Sequence, residues 1–168
     1  MLPRGILAGA LLATLPADAA TTNSSGAAML VAIKPALAIG NRIIEQAKTD
    51  KVTVDVSVNR NPLFFHTMAG TSPNNVDWIR RKSNLVNRTG HAAFFMHVEA
   101  VSNGQDFNNL PTFDTKDFAT HGGSFPIILK STGQIGTITV SGLEGADDHA
   151  MAVRALKWCL KQDNFPLN

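Results

Sequence analysis

Residues 51–58, KVTVDVSV, constrain the fold more than any other stretch of the chain. Val52, Val54, Val56 and Val58 take every second position, with Thr53, Asp55 and Ser57 between them. Successive side chains of an extended chain point to opposite faces. The pattern therefore predicts a half-buried β-strand, apolar toward a core and polar toward solvent. NRNP (59–62) turns the chain, and LFFHTM (63–68) reads as the hairpin partner. The device recurs: SFPIILK (124–130) and IGTITVS (135–141) flank STGQ as a second hairpin. Two hairpins make a mostly antiparallel sheet, and its apolar side needs helices to cover it.

The helices are read from the 3.6-residue period. Residues 30–49 carry Leu37, Ile43, Ile44 and Ala47 at helical spacing, with Pro35 expected in the first turn, where its missing N–H costs nothing. In 69–90, Asn74 or Asn75 is the expected cap, Asp77 suits the first turn, and Val76, Ile79 and Val86 line one face. HAAFFMHVEA (91–100) fits either a second helix or a buried strand. Residues 102–118 read as a long polar loop, of the kind that serves a function or skirts a site. A last helix is expected from about Asp147 to Lys161, with Val153, Leu156 and Leu160 inward. The predicted order is helix, two strands, one or two helices, two strands, helix.

A chain of 168 residues is one domain by length and large enough to bury a core. A net charge of +2 without a long basic run gives no footprint for nucleic acid, and the absence of tyrosine argues against a base-stacking platform. The single cysteine, Cys159, excludes an internal disulfide and a cysteine-rich zinc site; its helical context suits a core or interface thiol. MLPRGILAGALLATLPADAA (1–20) has an early arginine, a short apolar run and an Ala-Asp-Ala, the layout of a secretory signal with a cleavage site. That run is too short for a membrane span. With TTNSSGAA (21–28) as a spacer, residues 1–28 form a leader and 29–168 the domain. A secreted or periplasmic location follows; the alternative is an extra N-terminal helix packed on a cytoplasmic protein.

Chemistry-bearing residues concentrate in 119–155. His121-Gly122-Gly123 combines a sharp, closely approachable backbone with an imidazole, which suits a ligand site; a turn leading into a strand with a solvated histidine explains it as well. Asp147-Asp148-His149 looks like a catalytic or metal cluster, but adjacent helical residues diverge by about 100° and cannot converge on one ion. Acidic residues also suit a first helical turn for dipole reasons. Ser141 lacks the elbow that a catalytic serine needs. WIRRK (78–82) puts Arg80, Arg81 and Lys82 on a helix: a solvated face, with Arg81 or Lys82 able to meet carboxylates. His66 and His97 read as core histidines before axial ligands.

AGTSPNNVDWIRRKSNLV, HGGSFPI, GQIGTITVSGL and DDHAMAVRAL, in that order, resemble the GlcG/HbpS-like group of haem-degrading domains. The likeness is to its uncharacterised-protein-family branch and covers roughly residues 35–161, with ALAIGNRIIEQA fitting the group's first helix. The resemblance implies an α+β, profilin-like fold, a central antiparallel sheet of about five strands between helices, the fifth falling in 91–101. It implies homo-oligomers, and a branch that is cytosolic and has no established enzyme activity. The expected function is non-enzymatic binding of a small ligand, foremost haem or a related tetrapyrrole. Expected ligand-binding residues are His121, Gly122, Gly123, Ser141, Gly142, His149, Arg81 and Lys82, and iron would fall to His121 and His149. Two alternatives stand: a structural protein acting through its own assembly, and an enzyme using His149 with Asp147 or Asp148 as acid–base groups.

Overall fold

A computed structural model describes residues 24–129 and 132–160. The elements are α1 (Ser24–Ala47), β1 (Thr53–Val58), β2 (Asn61–Thr67), α2 (Pro73–Thr89), α3 (Ala93–Ser102), β3 (Ser124–Leu129), β4 (Gly133–Ser141) and α4 (Gly145–Leu160). The signal reading of residues 1–19 lies outside the described residues. Part of the expected spacer does not: Ser24 to Ala28 already belong to α1. No strong breaker follows Gly26 until Pro35, so the helix starts early and Pro35 falls inside it rather than in its first turn.

The sheet is antiparallel throughout, in the order β2-β1-β4-β3. It has four strands among the described residues. The stretch expected to hide a fifth forms α3 instead. Asn59 and Arg60, both with positive φ (50° and 64°), make the tight turn between β1 and β2.

One face of the sheet carries the predicted valine row. Val54, Val56, Ile138 and Val140 pack with Ala36, Ile39 and Ile43 of α1 and Met151, Ala155 and Leu156 of α4 into the main core. The other face departs from expectation. Thr53, Asp55 and Ser57 are buried as fully as the valines, because α2 lies over them. The sequence pattern was that of a half-buried strand; the structure has a strand covered on both sides, with a seam of small hydroxyls under α2. Ser83 on α2 hydrogen-bonds Thr139 at 2.8 Å, and Thr139 bonds Ser124 at 2.8 Å. Ser57 donates to both Asp55 oxygens at 2.8 Å, while burial pushes the Asp55 carboxyl up to about 6.

The N-cap of α2 is Ser72, not Asn74 or Asn75. Pro73 takes the first position, and the Ser72 N–H donates to Asn75 Oδ1 at 2.8 Å in a capping-box arrangement. Val76 is 40% exposed rather than inward; Ile79, Lys82, Leu85 and Val86 are the buried set. The stretch 102–118 also corrects the reading. Phe107, with Leu110, Phe113 and Phe118 packed around it, joins Leu85 and Val86 of α2 and Ala93 and Ala100 of α3 in a second apolar cluster. Four aromatic and aliphatic residues spaced among polar ones suffice to pin this segment down.

Candidate functional site

An open cleft of about 300 Å³ lies where three elements meet: the start of α2, the end of β4 and the start of α4. From α2 come Asn74, Asn75, Trp78 and Lys82, which recur at helical spacing and so share a face. Ser141, Gly142 and Leu143 close the β4 end, Glu144, Gly145 and Asp148 the α4 end, and His121 stands on the rim.

At the base of the cleft is a buried ion pair. Lys82 and Asp148 expose only 2% and 1% of their side chains and meet at 2.8 Å, Nζ to Oδ2. Lys82 Nζ also donates to the Val140 carbonyl at 3.1 Å. Asp148 accepts the backbone N–H groups of Leu143 at 3.0 Å and Gly142 at 3.4 Å, so it holds the β4–α4 turn as well as the lysine. Burial pushes the Lys82 ammonium below its usual range and the Asp148 carboxyl above its own, and each is opposed by the other's charge. Each charge thus offsets part of the burial penalty on the other.

The two glycines after His121 have a packing role. A Cβ on Gly122 would run into the Gly145 carbonyl and reach His149 Cβ at 3.0 Å. Gly123 has φ 103°, and a Cβ there would lie 2.5 Å from the Val140 oxygen. The backbone leading into β3 therefore presses directly on α4, which only glycine permits. His121 is left on the rim with its ring edge-on to Trp78, centroids 4.5 Å apart. Partial burial holds its pKa below the ordinary value; the positive charges of Lys82, His97 and Arg81 act in the same direction and Glu144 against.

The remaining expected residues are dispersed. Arg81 is turned to Asp77 (Nε–Oδ2 2.8 Å), with its guanidinium 3.9 Å over the Trp78 ring, and does not line the cleft. His149 is not on the cleft either. It sits between Phe94 and Phe125, at centroid distances of 4.8 and 4.7 Å. Burial pulls its pKa down to about 4, and Nδ1 is buried without a hydrogen-bond partner. Asp147 is exposed, Asp148 faces Lys82 and His149 faces the two phenyl rings, as the helical divergence requires. Neither aspartate orients His149 Nδ1, so the acid–base set envisaged from sequence is not assembled. Among the described residues no group of three His, Cys, Asp or Glu side chains is placed to hold a metal ion, and no helix is long and apolar enough to cross a membrane. Trp78, Asn74 and Asn75 were not read as site residues, the two asparagines being read as helix caps, although their spacing with Lys82 is visible in the sequence.

A four-stranded antiparallel sheet between helices, with a cleft at the β4–α4 junction, defines an α+β, profilin-like domain. The chain belongs to the HbpS-like family: the model for "Haem degrading protein HbpS-like" matches residues 31–157. A UPF0303 protein of Azotobacter vinelandii is 39% identical over 121 residues, 72% of this chain and 73% of that protein. One from Rhizobium leguminosarum is 37% identical over 127 residues, 73% and 75% of the two chains. Among solved structures, Ybr137w protein superposes with a TM-score of 0.70 at 27% identity, covering 77% of this chain and 80% of that one. A PduOC:haem complex shares the fold with a TM-score of 0.61 at 16% identity, covering 73% and 90%.

Proposed function

We propose that the chain is a non-enzymatic binding domain for haem or a related tetrapyrrole, held on the aromatic and histidine face beside Gly122 rather than in the cleft. The cleft is at the small end of ligand-pocket volumes and is lined by amides, carboxylates and an ammonium, which a flat apolar macrocycle would leave unpaired. The neighbouring face has the opposite chemistry. The observation that carries the reading is His149: a neutral imidazole with an uncommitted nitrogen, set among phenyl rings. Phe94 also stacks on His97, at 6.2 Å. Neutral imidazole in apolar surroundings is the donor that haem iron takes, and bound haem would supply that iron. His149 and His121 would hold it, with Phe94 against the ring system. The family description, and a haem complex on the same fold, support the same ligand.

Hemin titration tests this. A saturable Soret shift at micromolar protein is expected, weakened at least tenfold in His149→Phe, which keeps the packing and removes the nitrogen. His66→Ala, on β2, should bind like the parent. An unchanged hemin spectrum refutes the reading. A second reading, action through a homo-oligomer, is favoured by Phe65 on edge strand β2 and Trp158 on α4, 47% and 51% exposed. Native mass spectrometry with and without hemin separates the two: a stable assembly that ignores hemin favours the second.

A further inference from the structure

We infer that the cleft at the β4–α4 junction is a separate site for a small organic carboxylate. Three features meet there. The first is Lys82. An ammonium has three N–H donors, and two are taken, by Asp148 Oδ2 and the Val140 carbonyl. The third has no acceptor among the described residues, although Lys82 is 2% exposed and lines the cleft. The second is the fate of the Asp148 charge. Lys82 and the Leu143 and Gly142 N–H groups already occupy it, so it opposes an incoming anion weakly. The third is the surrounding field. The starts of both α2 and α4 open on the cleft, and helix N-termini favour negative charge.

The choice of carboxylate over phosphate follows from what is missing. Arg81, the nearest guanidinium on α2, is committed to Asp77 and Trp78, so no bidentate fork faces the cleft. Glu144 on the rim opposes a second negative charge. One spare ammonium donor, with the side-chain amides of Asn74 and Asn75 further along the same helix face on the cleft wall, suits a single carboxylate. The volume, equivalent to roughly ten waters, sets the size at a few carbons. Trp78 and Leu143 offer the only large apolar wall for those carbons.

Trp78 is also the reporter. The chain has two tryptophans, and Trp158→Phe, a surface change on α4, leaves Trp78 alone. In that background acetate, lactate and succinate should each change the emission saturably, at millimolar or lower concentration, with inorganic phosphate weaker. Asn74→Asp is the diagnostic variant. A carboxylate at the second position of α2 stabilises the helix, so the protein stays folded, yet it places a like charge in the cleft. Acid binding should weaken at least tenfold with the melting temperature unchanged or raised. The source of the carboxylate is read by competition. If hemin displaces succinate and hemin dimethyl ester does not, the site takes a tetrapyrrole side-chain carboxylate. If neither displaces it, the site takes a free acid. Either result sustains the inference, and the second leaves it standing if the haem reading fails. A flat emission titration with all three acids, equal binding in Asn74→Asp, or phosphate binding more tightly than every acid would overturn it.

Discussion

Replacing Lys82 with methionine isolates what the buried pair contributes. Methionine fills nearly the same volume, so packing is largely kept and the loss is electrostatic. Asp148, 1% exposed, would be left with two backbone donors, Leu143 N–H at 3.0 Å and Gly142 N–H at 3.4 Å, and no counter-charge. Breaking a buried pair by removing one partner costs about 3–5 kcal/mol. For a chain of this size each kcal/mol moves the melting temperature by about 2–4 °C, so Lys82→Met should melt roughly 6–20 °C lower at pH 7. The sign of the pH dependence follows from Asp148. Without Lys82 its folded-state pKa rises further above the unfolded value, so the penalty grows as pH rises above the unfolded value and fades as pH falls toward it. Lys82→Met with Asp148→Asn removes both charges and leaves an oxygen for the turn N–H groups; it should recover at least half of the loss. Thermal melts of the three proteins at pH 7 and pH 4.5 check all of this. A drop below about 3 °C in the single variant would show that water reaches Asp148 and that the pair is not the buried unit described.

Three further outcomes are expected. His149 has a folded pKa of about 4 against an ordinary 6.5, so the native state binds fewer protons. Its stabilisation is full above pH 6.5 and is lost as pH falls toward 4, by up to ~3 kcal/mol. In His149→Phe the urea midpoint should lose that part of its pH dependence, and an unchanged slope would contradict the buried placement. Asp55 runs the other way. With a folded pKa of about 6 against 3.8, it destabilises increasingly as pH rises from 4 to 6. Asp55→Asn should therefore be more stable at pH 7 by up to ~3 kcal/mol and show no advantage at pH 4, read by the same denaturation series. Gly123→Ala, at φ 103° and with its new methyl 2.5 Å from the Val140 oxygen and 2.7 Å from Asp148 Cβ, should cost at least ~2 kcal/mol; a melt within a degree of the parent would mean that the chain entering β3 sits more loosely against β4 and α4 than it stands here.

The strands were legible because their signal is local. A period of two needs only KVTVDVSV to declare itself, and the pairing of β1 with β2 and of β3 with β4 follows from their short connections. What was not legible depends on which element lands on which face. Nothing within Thr53, Asp55 and Ser57 says that α2 will cover them, since hydroxyls and a carboxylate are also what a solvated face would carry. The same holds for 91–100. Ala-Phe-Phe-Met serves a helix or a buried strand equally, and only the packing of α3 against α2 and the 102–118 segment decides.

The site was half legible, and the readable half was overlooked for a physical reason. On α2 the buried stripe runs Ile79, Lys82, Val86, spaced at three and four residues; on α4 it runs Asp148, Met151, Ala152, Ala155. A cation and an anion thus each occupy a position that the helical period assigns to the core. Taken singly, each has a bland explanation, a basic helix face or an acid in a first turn. Taken together they are two charges that must both be buried, and burial is tolerable only if they meet. Opposite charges on the apolar stripes of two different helices therefore predict that the two side chains meet, and with it the junction where the cleft forms. That reasoning would have singled out Lys82 and Asp148 before His149, whose place between Phe94 and Phe125 no spacing rule reveals. It also says why the cleft lies at this end of the sheet. The pair bridges α2 and α4 at the end of β4, where Lys82 also holds the Val140 carbonyl, and so lays a polar floor across the junction on which the cleft opens.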